Sequence, residues 1–372
     1  MPAGPVNLAT FQFRPLPEPV NRALTSPAPN LSDPDDVTTQ AAPTRTDEKD
    51  LELLQKLAVA RKALTQQIGR KIVGHQDVVE NLVAAILAGG HVMIVGVPGL
   101  AKTLLVQTVS EALDLQFSRV QFTPDLMPSD ITGTELLEED HATGKRVFKF
   151  VKGPIFGNVV LADEINRAPP KTQAALLQAM QEHSVTVSGK TYKLPEPFFV
   201  LATQNPIEQE GTYHLPEAQL DRFMFELRVH YPSIEEEERI VSWTTTDTEA
   251  QIQPVLSGEE VLALQHLVRR IPAPPTLVKY AVQIARSTRP GDPNAPADIR
   301  KFLSYGAGPR ASQYLVLGAK ARAAMDGRSV PDLDDIRAIA MAILRHRVVL
   351  NFQAEAEGVG ADNLVEQVLK GK

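Results

Sequence analysis

The stretch GVPGLAKT, Gly96 to Thr103, contains the residue types that bind phosphate. In the pattern GxxxxGK[ST], backbone N–H groups of the loop and of the following helix N-terminus point at the phosphates. Lys102 would reach the terminal phosphates, and the hydroxyl of Thr103 would bind Mg²⁺. The apolar run HVMIV before the loop and the helical spacing after it supply the strand and helix that the motif requires. The alternative is a glycine turn followed by an exposed lysine.

The position before Lys102 departs from the pattern, because Ala101 stands where the second glycine belongs. Glycine is required only where φ is positive or where a side chain would collide, whereas the first turn of a right-handed helix accepts alanine. Ala101 is therefore harmless if it already has right-handed helical angles. A positive φ at Ala101 would contradict this interpretation.

Two adjacent carboxylates, Asp163 and Glu164, end the apolar run in NVVLADEIN. Such a pair at a strand end is costly unless it faces a cation or water. We expect Asp163 to orient the Mg²⁺ shell and Glu164 to act as general base on the water that attacks the γ-phosphate. The alternative is an acidic strand end without a catalytic role.

Three further polar residues follow predicted strands or begin and end predicted helices. Asn205 ends an apolar run and could hold the attacking water, or form a turn before Pro206. Arg310 begins a predicted helix, where the helix dipole disfavours a cation, so it suggests an anionic partner. Arg222 stands at a predicted helix end, and taken alone an ordinary surface arginine is an equal alternative.

The elements that must position these residues alternate between strands and helices. HVMIV, QFSRVQF, NVVLADE and PFFVLATQN are typical of buried strands, most of them separated by segments long enough for a crossover. This order predicts a parallel α/β sheet with ligands at the carboxyl ends of its strands. Only helical periods follow YPSIEEEER, which predicts a helical second domain. We expect a flexible Pro-rich extension over 1–45, an α/β core over 46–234 and the helical domain over 235–372.

The composition is that of a globular protein, with 43% hydrophobic and 22% charged residues among 372. The absence of cysteine excludes disulfides and thiolate metal sites. No run approaches the ~18 apolar residues of a membrane helix and no signal peptide is evident, so we expect a cytoplasmic protein without membrane insertion. A net charge of -7 makes nucleic acid an unfavourable partner for the whole chain. The eight histidines are scattered and predict no metal cluster.

Six stretches together resemble the successive signatures of the MoxR family of AAA+ ATPases. They are IVGHQDVV, GVPGLAKT, QFTPDLMPSDITGTE, VLADEINRAPPKTQAALLQAMQE, VLATQNPIEQEGTYHLPEAQLDRF and GPRAS. The resemblance covers roughly residues 50 to 365, and because this family's phosphate loop commonly reads GxPGxAKT, Ala101 fits it. The resemblance implies an α/β fold: a P-loop AAA+ core with a parallel sheet and hairpin insertions, followed by a small all-α lid domain.

The resemblance also implies a homohexameric ring with ATP and Mg²⁺ between subunits. Arg222 would be an arginine finger acting on a neighbour's ATP, which would make hydrolysis depend on assembly. Asn205 would be the first sensor and Arg310 the second, in the lid. The implied nucleotide contacts are Ile72, Val73 and Gly74 near the adenine, and Gly96, Pro98, Gly99, Leu100, Ala101, Lys102, Thr103 and Leu104 in the loop; Thr103 and Asp163 are the implied Mg²⁺ residues.

Two insertions distinguish this branch of AAA+ proteins. GKRVFKFVKGPIFGN resembles a hairpin that interrupts the second core helix. HSVTVSGKTYKLPEP independently predicts a hairpin, with its turn at Gly189-Lys190. In related rings such hairpins face the pore or a rim, where a client would be contacted. Rigid scaffold hairpins are the alternative.

The resemblance favours an ATP-driven, chaperone-like remodeller that matures or activates an unknown client, with a partner containing a von Willebrand factor A domain. A nucleic-acid motor is one alternative, and its candidate contacts are Lys145, Arg146, Lys149, Lys152, Lys190 and Lys193 in the hairpins. A magnesium-chelatase-like subunit is another. The GPRAS and EINRAPPKTQ stretches favour the MoxR family over the chelatase.

Overall fold

The computed structural model describes residues 48–139, 146–207, 211–246 and 250–371. The predicted Pro-rich extension, residues 1–45, lies outside these ranges, as does Lys145. None of the helices in the described ranges combines the length and the apolar character needed to span a bilayer.

A five-stranded sheet forms the core, and all of its neighbouring strands run parallel. The described strands are β1 (His91–Val95), β2 (Phe117–Gln121), β3 (Gly133–Glu139), β4 (Arg146–Lys152), β5 (Val159–Asp163), β6 (Ser184–Val187), β7 (Lys190–Lys193), β8 (Phe199–Gln204), β9 (Phe223–Arg228), β10 (Leu303–Tyr305) and β11 (Val349–Leu350). The sheet order is β2-β5-β8-β1-β9, which confirms the predicted parallel α/β core. The sequence reasoning missed β9, because its apolar run FMFEL follows a helical turn without an intervening glycine or proline.

Helices cover the sheet and build the second half of the chain. They are α1 (Glu48–Ile68), α2 (Gln76–Ala88), α3 (Lys102–Ala112), α4 (Pro128–Thr132), α5 (Pro170–Glu182), α6 (Glu217–Leu220), α7 (Ile234–Thr244), α8 (Gly258–Arg270), α9 (Pro275–Ser287), α10 (Ala297–Phe302), α11 (Pro309–Met325), α12 (Leu333–Leu344), α13 (Phe352–Glu357) and α14 (Ala361–Lys370). The buried stripe of α1 repeats every three or four residues, through Leu57, Leu64 and Ile68, as an amphipathic helix requires. The buried apolar residues form two clusters: one joins the lid helices, α1, α2 and α3 to one face of the sheet, and the other joins α5 to the opposite side chains of β1, β5 and β8.

The lid is helical, apart from the short antiparallel pair β10 and β11. Helix α11 packs against both α9 and α12. Capping boxes fix two of its helix starts, at α8 with Ser257 and Glu260 and at α12 with Asp332 and Asp335. In each pair the side chain of one residue accepts from the backbone N–H of the other. The predicted boundary between residues 234 and 235 falls at the first turn of α7.

Two antiparallel hairpins project from the core. Strands β3 and β4 pair from Gly133↔Lys152 to Glu139↔Arg146 and lie between α4 and β5. Strands β6 and β7 pair between α5 and β8. The predicted Gly189-Lys190 turn is wrong by one residue: Ser188 (φ 49°) and Gly189 (φ 79°) form it, and Lys190 already pairs in β7. Two central residues with positive φ match the twist of the flanking strands.

His91 on β1 is a core histidine held by two backbone groups. The Val200 N–H donates to its Nδ1 at 3.1 Å, so the neutral ring donates from Nε2 to the Met180 carbonyl, also at 3.1 Å. Burial lowers the pKa of His91 to about 4, which keeps the ring neutral near pH 7. The described residues contain no cluster of three or more groups that could ligate a metal ion.

Candidate nucleotide-binding site

The phosphate loop joins the carboxyl end of β1 to the N-terminus of α3, as the motif requires. A Cβ on Gly96 would lie 2.9 Å from the Val229 carbonyl oxygen, so only glycine fits where the loop passes the chain beyond β9. Gly99 has φ 85°, which also favours glycine. The Lys102 ammonium group donates to the Gly96 carbonyl and therefore lies across the loop.

Ala101 has φ 53° and ψ 25°, in the left-handed region, and α3 begins one residue later at Lys102. The condition on which Ala101 would be harmless, right-handed helical angles, is not met, so the steric argument for it is wrong. A left-handed alanine costs about 1–2 kcal/mol. Left-handed residues in such a loop can turn successive N–H groups into an anion-binding concavity, as a phosphate-binding loop would require.

The two carboxylates that end the apolar run, predicted to hold Mg²⁺ (Asp163) and to act as general base (Glu164), diverge at the end of β5. Asp163 is buried, and its Oδ2 accepts from the Arg119 Nη2 at 2.7 Å. Glu164 has φ 56° and ψ 50°, so the chain turns sharply after the strand. Its Oε2 accepts from Gln121 at 2.8 Å and from Arg167 at 2.9 Å. Adjacent residues thereby present separate carboxylates at the same sheet edge.

Thr203 on β8 joins both acidic residues to the neighbouring strand. Its hydroxyl donates to Asp163 Oδ1 at 2.6 Å and accepts from the Glu164 N–H at 2.8 Å. Sequence reasoning missed Thr203 and Arg119. The available signal was a polar residue inside an apolar run, since a buried hydroxyl in FVLATQ requires a partner.

The donor set fits a hydrated Mg²⁺ ion. Magnesium ions in nucleotide sites are held by one or two protein oxygens, by phosphates and by several waters. Asp163 offers a carboxylate already paired with a cationic group, Arg119, and Thr103 offers a hydroxyl in the first turn of α3.

Asn205 follows β8 and is 5% exposed. Its Oδ1 accepts from the Ile207 N–H at 3.2 Å, so the amide shapes the turn around Pro206, as the alternative interpretation expected. The same geometry leaves the NH₂ group as the part of the side chain that can hold water. Because β5 and β8 are neighbours, Asn205 and Glu164 follow adjacent strand ends.

A cavity of about 1200 Å³ lies beside the phosphate loop. Its lining brings together the predicted residues Ile72, Val73, Pro98, Gly99, Leu100, Ala101 and Leu104, and adds Tyr231 and Trp243, which sequence reasoning missed. Gly96, Lys102 and Thr103 are not in the lining. Gly74 also lies outside the lining. It has φ 76° and packs against Glu236 of α7, since a Cβ added to Gly74 would lie only 2.5 Å from Glu236 Oε1. The apolar walls suit a nucleobase.

The two predicted arginines lie together, and away from the phosphate loop. Arg222 directly precedes β9 and donates to the Leu177 carbonyl at 2.7 Å, while Arg310 Nη1 donates to Asp221 Oδ2 at 3.0 Å. Phe223 pairs with His91 at the N-terminal end of β1, whereas the loop follows its carboxyl end. Five strand residues, or about 16 Å, separate the two edges.

Comparison with known proteins identifies the family of the chain. Residues 91–225 match the family model "ATPase family associated with various cellular activities (AAA)", and residues 297–368 match "AAA lid domain". Chaperone MoxR1 of Mycobacterium tuberculosis is 41% identical over 304 residues, which cover 82% of this chain and 79% of that protein. The chain belongs to the MoxR family of AAA+ ATPases.

Two further relatives extend the MoxR comparison. Protein MoxR of Methylorubrum extorquens is 33% identical over 308 residues, covering 77% of this chain and 86% of that protein. The crystal structure of a candidate ATPase from Cytophaga hutchinsonii superposes with a TM-score of 0.78 at 40% identity and covers 86% of this chain and 96% of its own. A nucleotide-binding AAA+ core with a lid domain is therefore the architecture of this MoxR protein.

The left-handed Ala101 of this MoxR loop gives a stability prediction. We expect Ala101→Gly to raise the free energy of unfolding by about 0.5–1 kcal/mol, because removal of the left-handed penalty outweighs the backbone entropy that glycine adds to the unfolded chain. Urea unfolding without nucleotide measures this. The matched control is Ala63→Gly at a half-buried position inside α1, which should lower stability by about 1 kcal/mol. Equal destabilisation by both substitutions would contradict the strain at Ala101.

Proposed function

We propose that this MoxR-family chain forms a homohexameric ring that hydrolyses ATP between subunits and uses the cycle to remodel a client protein. The observation that carries the proposal is that the phosphate loop lies at the carboxyl ends of the strands, whereas the two arginines lie at the opposite ends. A single chain then has a nucleotide site at one edge and the cations for transition-state charge at the other. Head-to-tail packing in a ring brings these edges together.

Within the site, the loop N–H groups and Lys102 hold the phosphates, and the apolar cavity takes the adenine. Thr103 and Asp163 would hold Mg²⁺, which when bound neutralises charge on the β- and γ-phosphates. Glu164 accepts a proton from the attacking water, which the Asn205 amide positions. The products are ADP and phosphate.

Arg222 and Arg310 both act on the neighbouring subunit's nucleotide in this proposal. A guanidinium group supplied across the interface stabilises the negative charge of the transition state. Within one chain, Arg310 donates to Asp221, the residue that precedes Arg222. Each site is therefore completed only by assembly, and isolated chains should hydrolyse ATP poorly.

The hairpins supply a surface for a client. On β3 and β4, the directly opposed Leu137 and Phe148 are 52% and 68% exposed. The β3–β4 hairpin is braced on the second hairpin, because Phe150 stacks on Tyr192 with ring centroids 4.1 Å apart. An exposed apolar pair on a braced support suits apolar segments of a partly unfolded protein. A partner with a von Willebrand factor A domain is an expectation from the family resemblance.

The hairpin charges make a nucleic-acid motor the weaker candidate. Lys149 is paired with Glu138 at 3.0 Å, and Lys190 with Glu135 at 3.3 Å. Lysines bind nucleic acid by neutralising phosphates and releasing the counterions condensed on them, so lysines already paired with carboxylates contribute less.

The experiment that tests the proposal measures specific ATPase activity against protein concentration, together with mass by light scattering. We expect activity per chain to rise as hexamers form, and single-stranded DNA to leave it unchanged. Full activity in monomers would contradict the shared site. A several-fold stimulation by DNA that decreases steeply with salt would favour the motor.

A further inference from the structure

Asp221 joins the core to the lid through two arginines. Its Oδ1 accepts from the Arg347 Nε at 2.8 Å, and its Oδ2 accepts from the Arg310 Nη1 at 3.0 Å. The side chain of Arg347 is 1% exposed, whereas that of Arg310 is 37% exposed. One end of the carboxylate is therefore anchored on a buried cation, and the other end holds a cation that solvent or a neighbouring subunit can reach.

Helix α11 reaches the predicted finger by a second contact. The Tyr314 hydroxyl donates to the Arg222 carbonyl oxygen at 3.2 Å. Tyr314 and Arg310 are one helical turn apart and lie on the same face of α11. Burial is the main cause that raises the pKa of Tyr314, so its hydroxyl remains a donor at neutral pH. The lid thereby fixes the backbone at Arg222 while it presents Arg310 next to it.

The charges around Asp221 would not stay together without it. Arg347 would be left as a buried cation without a counter-charge, and Arg310 would be repelled by it. We infer that Asp221 is a positioning residue that holds Arg310 beside Arg222, so that both guanidinium groups meet a neighbour's nucleotide as a pair. This inference rests on the proposed function, because it assumes that the two arginines act across the interface.

Mixed rings test the inference, because the same substitution can be placed in either of two kinds of subunit. A finger subunit carries Lys102→Ala and keeps its arginines, and a site subunit carries Arg222→Ala and keeps its loop. Their mixture hydrolyses ATP only where a finger subunit faces an intact site. Asp221→Asn is then added to the finger subunit in one mixture and to the site subunit in the other.

We expect Asp221→Asn in the finger subunit to lower the kcat of the mixture about 10- to 100-fold, as a misplaced catalytic group does, with an unchanged KM for ATP. In the site subunit, whose finger is already removed, the same substitution should leave the rate unchanged. Equal losses in both positions would show a structural role only and would overturn the inference. So would an unchanged rate in both.

The parent mixture separates the two levels of the proposal. If the parent subunits, without the Asp221 substitution, show no activity together, the shared site itself fails and the inference fails with it. If they are active and the substitution has no effect in the finger subunit, only the role of Asp221 fails.

Tyr314→Phe is a milder second variant that keeps the packing of α11. In the finger subunit it should lower the rate about fivefold, the effect of one neutral hydrogen bond. The same change in the site subunit is the control. A loss in neither position would show that the Tyr314 contact does not position the finger.

Discussion

Glu164→Gln is expected to stop ATP hydrolysis while ATP still binds. The substitution preserves the shape of a side chain that accepts from Gln121 at 2.8 Å and removes its ability to take a proton from water. Loss of a general base lowers kcat by about 10²- to 10⁴-fold. Phosphate release measures kcat, and equilibrium titration with a fluorescent ATP analogue measures binding, which should be unchanged.

The bound but unhydrolysed nucleotide should also stabilise the assembled ring, since a ligand that binds only the assembled state shifts the equilibrium towards it. Glu182→Gln, at the exposed end of α5, is the matched control and should retain normal turnover. Normal turnover in Glu164→Gln itself would remove Glu164 from the role of base.

Mixing Lys102→Ala subunits with Arg222→Ala subunits is expected to restore activity that neither has alone. Each variant lacks one half of every interface site, because the phosphate loop and Arg222 lie at opposite edges of the sheet. In a randomly mixed closed ring with equal parts, about a quarter of the interfaces join an intact loop to an intact arginine. Steady-state ATPase measured across mixing ratios should therefore peak near equal parts. Pure Arg222→Ala should be slower than the unmodified chain by about 10³-fold or more, the effect of losing an arginine finger.

The control is a chain that carries both substitutions, mixed with either single variant. That mixture has no interface with two intact halves and should stay inactive. Absence of rescue at every ratio, with mixed rings verified by mass, would show that Arg222 does not act on a neighbour.

Much of the fold was predictable because the residues that carry it act locally. Buried parallel strands are continuous apolar runs, and HVMIV coincides with β1 from His91 to Val95. The loop, carboxylate and sensor motifs each follow such a run, so the strand ends that converge in the sheet could be foreseen. The predicted helical periods that became α8, α9, α11 and α12 likewise depended on local spacing and caps.

The remaining features depend on contacts between distant parts of the chain. The left-handed conformation of Ala101 is set by the loop around it. The intrinsic preference of alanine for the right-handed helix does not predict it. The bridge from Thr203 to Asp163 spans 40 residues, and the Asp221 contact to Arg347 spans 126. Pairings at such separation arise only after the sheet and the lid have packed, so a single sequence does not specify them.

The placement of the phosphate loop and the arginines at opposite edges of one sheet has a genetic consequence. In the proposed ring every chain contributes its phosphate loop to one site and its Arg222 to another. A chain with defects at both Lys102 and Arg222 therefore inactivates the sites on both of its sides. A minor population of such chains in a cell would inactivate up to twice its own share of sites. An allele that changes both residues is therefore expected to behave as dominant, whereas alleles that prevent folding remove the chain from the ring and behave as recessive.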